Sequence, residues 1–415
     1  MIDLTNYIEG IELFTTRSCN MRCTYCYENK EKNTVFSSET SKNLLELIRN
    51  NPNIKYIDLF GGESLLPDIA NNIMDFLQEL AKIRTNIFFY IVTNGYETDK
   101  ILNILDYIKD TFEEVTIQIS MDGSKNAHNI CRLDLNKNGT FDKVFNNTVL
   151  LLERYKEVSN VKIYIHHVIS IENIQYIIET VCLDNKLCIM YPDLRIAYNS
   201  EHSIHTRAHN LEFIIEILEF LHNLYLNNDL KPYVWDQFIH AYDYFQTEHS
   251  GCDLMNKYIT VDINGDVIPC HFFNKSHNHN YYNINTKEFN QDNYNKSLEF
   301  IKHKEPQSEL RYDCKSCVSK GFCPFCSAAS YLYDNDNNNN IVGSTACSYA
   351  HTIGNWVINK YNNGITKALK DEEKQHLLDH LNGIADELDK DFNAETLKEF
   401  LFYRIKCKIN GIYDL

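Results

Sequence analysis

The chain has 415 residues, 44% hydrophobic and 23% charged, a composition near the globular average with enough apolar material for two or three domains. No apolar run approaches the ~20 residues that cross a bilayer, and the stretch from Met1 to Gly10 has no basic or long apolar segment, so neither a membrane span nor a secretory signal is visible and a cytoplasmic protein is expected. A formal net charge of −17 without a Lys/Arg cluster repels phosphate backbones and argues against a nucleic-acid partner.

From residue 11 to about 200, short β-rich runs alternate with stretches of helical period, the pattern of repeated βα units. The predicted strands run from Ile11 to Thr16, Lys55 to Phe60, Ile87 to Val92, Glu114 to Ile119, Val161 to Ile169 and Leu194 to Ala197. Ile69, Ile73, Phe76, Leu77, Leu80 and Ile83 share one helical face, and Ile101, Leu102, Leu105 and Ile108 share another. Such faces cover a parallel sheet. Right-handed crossovers curl six strands of this kind into a partial (β/α)6 barrel, an α/β fold whose active face lies at the C-terminal strand ends.

Leu211 to Leu226 reads as an apolar-rich helix, and residues 231–251 as a bridge to a second domain. Residues 252–350 are rich in cysteine and turn residues, with the polar run ending in Asn337 to Asn340 as an exposed loop. Helical period returns after Trp356, in segments carrying Leu377, Leu378, Leu381 and Ile384 and then Leu397, Phe400, Leu401 and Ile405. The expected division is a barrel over 1–230, a Cys-rich α+β domain over 231–350 and a helical appendage over 351–415.

Fourteen cysteines in a chain with no visible secretion signal point to metal rather than disulfides, because the cytosol keeps thiols reduced. Three fall between 19 and 26 and seven between 252 and 347, which marks two metal-bearing regions. Cys131, Cys182, Cys188 and Cys407 lack ligand spacing and read as small buried hydrophobes.

Cys19, Cys23 and Cys26 form C-x3-C-x2-C directly after the first predicted strand. Three soft thiolates suit an iron-sulfur cluster, leaving one iron of a four-iron cluster open, or a zinc completed by a distant histidine. With Tyr25 and Tyr27 flanking the last cysteine, the motif resembles the signature of the radical S-adenosylmethionine (SAM) superfamily. The resemblance implies that the open iron chelates SAM, whose reductive cleavage yields a 5′-deoxyadenosyl radical that abstracts hydrogen from a substrate.

Two further motifs sit at predicted strand ends. Gly61, Gly62 and Glu63 follow the second strand. Glycines admit a ligand close to backbone and a carboxylate offsets positive charge, while a plain strand-ending turn is the alternative. The resemblance puts this motif near the SAM ammonium. After the fourth strand, Ser120, Asp122, Gly123, His128 and Arg132 resemble the S-x-D-G-x4-H-x3-R run of the peptide-modifying branch, which implies SAM contacts for Ser120 and Arg132. Thr93, Asn94 and Gly95 close the third strand in the same manner, and Asn173 starts the helix after the fifth. The alternatives are a turn at Asp122-Gly123, a packed or capping His128 and a helix start at Asn173.

Cys252, Cys270, Cys314, Cys317, Cys323, Cys326 and Cys347 closely resemble, in their order, the SPASM extension that carries auxiliary clusters in relatives maturing peptides and proteins. Two C-x2-C pairs alone would also make a zinc ribbon. Here two residues lie between Cys323 and Cys326 where the family has three. Asp262 to Gly265, between the Tyr258 to Val261 run and Val267 to Ile268, predicts a hairpin that folds Cys252 and Cys270 together.

By resemblance, Cys252, Cys270 and Cys326 serve one auxiliary cluster, and Cys314, Cys317, Cys323 and Cys347 the other. The first set is one ligand short, so its open iron is expected to bind a substrate thiolate, with His249, Asp253 or water as alternatives. His271 occupies the position where sulfatase-maturing relatives carry an Asp proposed as the base, and an imidazole can take a proton near neutral pH; a surface or cluster-neighbouring histidine is the alternative. His277 and His279 follow in an Asn/Tyr-rich segment that looks mobile.

The expected function is oxidative modification of a ribosomally made, Cys-containing precursor peptide, forming a thioether or carbon-carbon crosslink, with flavodoxin or ferredoxin as reductant. Formylglycine formation on a protein Cys or Ser is the second reading. A non-catalytic electron-transfer module is the third.

Overall fold

The computed structural model describes residues 8–28, 34–170, 192–197, 257–273 and 279–302, with short groups and single positions between and beyond them. The helix expected over Leu211 to Leu226, the 231–251 bridge, the Asn337 to Asn340 loop, the C-terminal helices and Cys252, Cys314, Cys317, Cys323 and Cys347 lie outside the described residues.

In chain order the described elements are β1 (Gly10–Thr16), α1 (Ser38–Asn50), β2 (Tyr56–Gly61), α2 (Ala70–Ala81), β3 (Phe88–Thr93), α3 (Leu102–Thr111), β4 (Glu114–Ser120), α4 (Lys125–Cys131), α5 (Phe141–Tyr155), β5 (Val161–Ile169), β6 (Pro192–Ile196), β7 (Tyr258–Val261), β8 (Asp266–Ile268), β9 (Tyr282–Asn283) and α6 (Gln291–Lys302). β1 to β6 are parallel and adjacent in strict chain order. Right-handed crossovers in that order put the helices on one face and leave the other as a lumen, as the partial barrel requires.

Alternation separates the two faces. In β4, Val115, Ile117 and Ile119 are fully buried, while the intervening Thr116 and Gln118 are only partly so. The apolar positions join Leu44 and Ile48 of α1, Phe76 and Leu80 of α2, Ile104 and Ile108 of α3 and Val144 of α5 in one core. Each such side chain contributes roughly 1.5–3 kcal/mol by leaving water. The lumen face carries a polar row instead: Thr260, Glu12, Asp58, Tyr90, Thr116 and Lys162 stand register-opposite across six neighbouring strands. α1 starts at Ser37, whose hydroxyl accepts the Thr40 N–H at 3.0 Å.

The hairpin that the sequence places in the second domain continues the sheet of the first. β7 lies parallel to β1, pairing Gly10 with Tyr258 and Leu13 with Val261, and β8 and β9 follow antiparallel. A Cβ on Gly10 would fall 2.1 Å from the Tyr258 ring, so only glycine permits this approach. The turn closes as expected, with the Gly265 N–H bonded to Asp262 O at 2.9 Å and Gly265 at φ 81°. Asp262 also pairs with Arg17, at the end of β1.

Candidate active site

The loop after β1 carries Cys19, Cys23 and Cys26, all partly buried and none in a disulfide. Backbone bonds fix its course: Arg22 N–H to Leu133 O at 2.7 Å and Thr24 N–H to Cys131 O at 2.9 Å lay it along the segment after α4. Donors face the sulfurs. The Met21 N–H lies 3.3 Å from Cys19 Sγ, the Asn94 amide 3.7 Å from the same atom, and Arg132 Nη1 4.0 Å from Cys23 Sγ. Such donors favour thiolate over thiol.

No three His, Cys, Asp or Glu side chains among the described residues stand close enough to share one metal ion. A four-iron cluster asks for something else, one thiolate on each of three irons. Three soft sulfurs on one short loop, those of Cys19 and Cys23 faced by neutral and cationic donors, fit that group.

The strand-end motifs surround this loop. Gly61 has φ 141°, and a Cβ there would fall 2.2 Å from Thr16 O; one on Gly62 would fall 2.4 Å from Ser18 O. These glycines therefore admit the backbone leading into the cysteine loop. The Gly62 and Glu63 N–H groups bond Thr16 O and Ser18 O at 2.9 and 2.8 Å.

Glu63 is buried, accepting from Thr93 Oγ1 at 2.6 Å, Asn94 N–H at 2.7 Å and Leu65 N–H at 3.4 Å. Burial raises its carboxyl to about 7 against the pull of these hydrogen bonds. The side chain thus ties the ends of β2 and β3 together beside Asn94, whose amide also reaches Asn20 Oδ1 at 2.8 Å.

Asp122 and Arg132, both buried, form an ion pair with Nε 2.9 Å from Oδ1. Burial works against the Asp122 charge, but Arg132 and the Tyr25 hydroxyl bonded to Oδ2 hold its carboxyl below the usual range. Ser120, partly buried at the end of β4, stands register-opposite His166.

His128 is fully buried, and its titration is pushed down to about 3, chiefly by burial. It is packed, as one alternative had it, and bonds the Asp122 N–H and Thr140 Oγ1 at 3.2 and 2.9 Å. Asn173 closes the turn after β5, through Ser170 N–H and Val168 O, both at 2.8 Å. Cys131 is buried against Ser170, as a small core residue.

On the other side, Cys270 is buried and packs with Ile268, Phe273, Ala328 and the partly buried Cys326. Two of the three cysteines assigned by resemblance to one auxiliary cluster are thereby neighbours. His271 enters the lumen between these regions, its Nδ1 2.7 Å from Glu12 Oε1 and its ring stacked on Phe60 at 4.6 Å. Burial opposes charge on His271, yet Glu12, with Glu28 and Asp58 behind it, holds its titration above the ordinary range. Tyr27, one residue past Cys26, stacks on Phe272 at 4.4 Å. His279 is buried against Phe273 and Ser297.

Glu12, Asp58, Tyr25 and Phe60 were missed as site residues from sequence. The usable signal was a carboxylate inside each of two apolar strands, since Asp and Glu are rarely buried without a task.

No helix among the described residues is long and apolar enough to cross a membrane. A family description, the Radical SAM superfamily, matches residues 13–181. A cysteine-type anaerobic sulfatase-maturating enzyme from Clostridium novyi (strain NT) is 34% identical over 155 residues, which is 35% of this chain and 40% of that relative. The match thus spans less than half the relative's length. Among solved structures, native anSMEcpe with bound AdoMet superposes with a TM-score of 0.65 at 19% identity, covering 85% of this chain and 98% of that one. The crystal structure of Streptococcus suis SuiB bound to precursor peptide SuiA gives 0.52 at 16% identity, covering 81% and 74%. These two likenesses are of fold. The three-cysteine loop and the strand-end motifs all lie within residues 13–181, the stretch of this chain that the Radical SAM superfamily description matches.

Proposed function

We propose that this protein uses SAM to modify oxidatively a ribosomally made, Cys-containing peptide, forming a thioether or other crosslink. The observation that carries the reading is the meeting of the Cys26 and Cys270 loops over one polar lumen, where Tyr27 stacks on Phe272 and His271 reaches Glu12. Likeness of fold to SuiB bound to its precursor peptide supports it.

When bound, SAM and the cluster on Cys19, Cys23 and Cys26 would supply a 5′-deoxyadenosyl radical. Glu63, Asn94, Ser120 and Arg132 are the proposed SAM contacts, with Gly61 and Gly62 shaping the floor and Asp122 holding Arg132. His271 is the proposed proton acceptor: with Nδ1 turned to Glu12, Nε2 is the nitrogen left for substrate. Cys252, Cys270 and Cys326 are proposed to hold one auxiliary cluster with an open iron for a substrate thiolate, and Cys314, Cys317, Cys323 and Cys347 the second. Flavodoxin or ferredoxin is the proposed reductant and the cytoplasm the proposed compartment.

The test is anaerobic reconstitution of the full chain, with about twelve iron atoms expected for three four-iron clusters, followed by an assay for 5′-deoxyadenosine under reduction. Cys23→Ala should abolish that product, and intact SAM in well-loaded wild type would overturn the reading. The Clostridium novyi relative favours a second reading, formylglycine formation on a protein Cys or Ser. Mass spectrometry of a Cys peptide separates the two: a crosslink loses hydrogens and keeps sulfur, whereas formylglycine made from Cys loses it.

A further inference from the structure

Arg132 is held at both ends. Its carbonyl accepts from Thr140 Oγ1 at 2.8 Å, so Thr140 in turn accepts from His128 Nε2–H, and His128 Nδ1 accepts the Asp122 N–H. That order fixes one neutral tautomer for the fully buried His128. Its guanidinium is pinned separately. Asp122 Oδ1 forms an ion pair with Arg132 Nε at 2.9 Å and accepts the Val168 N–H at 3.0 Å, while Oδ2 accepts the Tyr25 hydroxyl, and the guanidinium carbon lies 5.5 Å over the Tyr25 ring. Tyr25 itself sits between Cys23 and Cys26 in the loop.

The consequence is a cation fixed 4.0 Å from Cys23 Sγ. Reducing an iron-sulfur cluster adds one negative charge, and nearby charge and hydrogen bonds to cluster sulfur set how readily that charge is accepted. In a buried site a fixed charge acts more strongly than in water. Resting on the reading that this loop holds such a cluster, we propose that Arg132, positioned by Asp122, acts on Cys23 to raise the reduction potential, independently of any contact with SAM.

The test uses the full-length, anaerobically reconstituted protein with no SAM present. The cluster is titrated with dithionite and followed by electron paramagnetic resonance, taking as its signal the one absent from Cys23→Ala. In Arg132→Gln the ratio of reduced to oxidised cluster at the wild-type midpoint should fall about tenfold, a shift of ~59 mV to more negative potential for one electron. Arg132→Lys, whose shorter stem draws the charge back from the sulfur, should shift the same way by less.

An unchanged midpoint in a loaded Gln variant overturns the proposal. If that variant does not hold iron, the Lys variant decides by the same criterion. Loss of the cluster in both assigns Arg132 a structural role and overturns it too. Failure of the underlying reading looks different: wild type would then show no signal that depends on Cys23.

Discussion

His271 Nδ1 lies 2.7 Å from Glu12 Oε1, a contact between residues 259 positions apart in the chain. Glu12 is fixed in turn by Thr260 Oγ1, 3.1 Å from its other oxygen, across the β1–β7 pairing. A carboxylate held on one side and a ring stacked on Phe60 on the other leave the imidazole one orientation.

Glu12→Gln keeps the shape and removes the charge. On the proposed mechanism, peptide product should fall about 10²-fold, the scale of one general base. SAM cleavage should continue, so the ratio of 5′-deoxyadenosine to product rises. Equal loss of both would contradict a role confined to His271.

Asp58 neighbours Glu12 in the lumen, and burial, then the Glu12 charge, push its carboxyl up to about 7, with His271 opposing. Between the ordinary 3.8 and about 7 the unfolded chain releases this proton while the folded chain keeps it. Stability therefore falls as pH rises through that window and stays lowered above it. Asp58→Asn should melt higher than wild type at about pH 8, by roughly 4–10 °C. The gap should close towards about pH 4; a gap constant with pH would exclude this carboxyl as its source.

Glu63 also titrates at about 7, so it is mostly neutral at about pH 6 and mostly charged at about pH 8. If it faces a ligand cation, SAM affinity rises over that range. The slope lost in Glu63→Gln, read by calorimetry across pH, is its share, with affinity at about pH 8 down ~10-fold or more. Identical slopes would remove Glu63 from the ligand side.

Gly62→Ala brings a methyl to within 2.4 Å of Ser18 O, a backbone atom that cannot step aside alone. The cysteine loop must shift, and iron retained after reconstitution should drop sharply. Ala at Gly139, where the nearest atoms belong to the Asn129 side chain, is the milder control.

The strands were legible because β-branched and aromatic runs such as Ile57 to Phe60 and Phe88 to Val92 are separated by clear helical faces, and Ile73, Phe76, Leu77 and Leu80 lie buried on α2 as their spacing predicts. Register was not legible. That Glu12 faces Asp58 and Thr260 depends on pairings between distant strands, which no local pattern encodes. The Gly61-Gly62-Glu63 motif was found for its composition, yet its neighbours turn out to be carbonyls of Thr16 and Ser18, because a contact between two loops leaves no trace in either alone. Arg132 was read from its spacing after Asp122, whereas its approach to Cys23 follows from backbone bonds at Arg22 and Thr24.

The pairing of β7 with β1 also bears on how the polypeptide matures. β1 leaves the ribosome well before β7, and one of its edges is completed only by residues 258–261. Until then an apolar strand carries unpaired amides and carbonyls, a template for pairing with other chains. A truncation ending near residue 230 should consequently aggregate, and the nascent barrel should depend on chaperones until its late strand arrives.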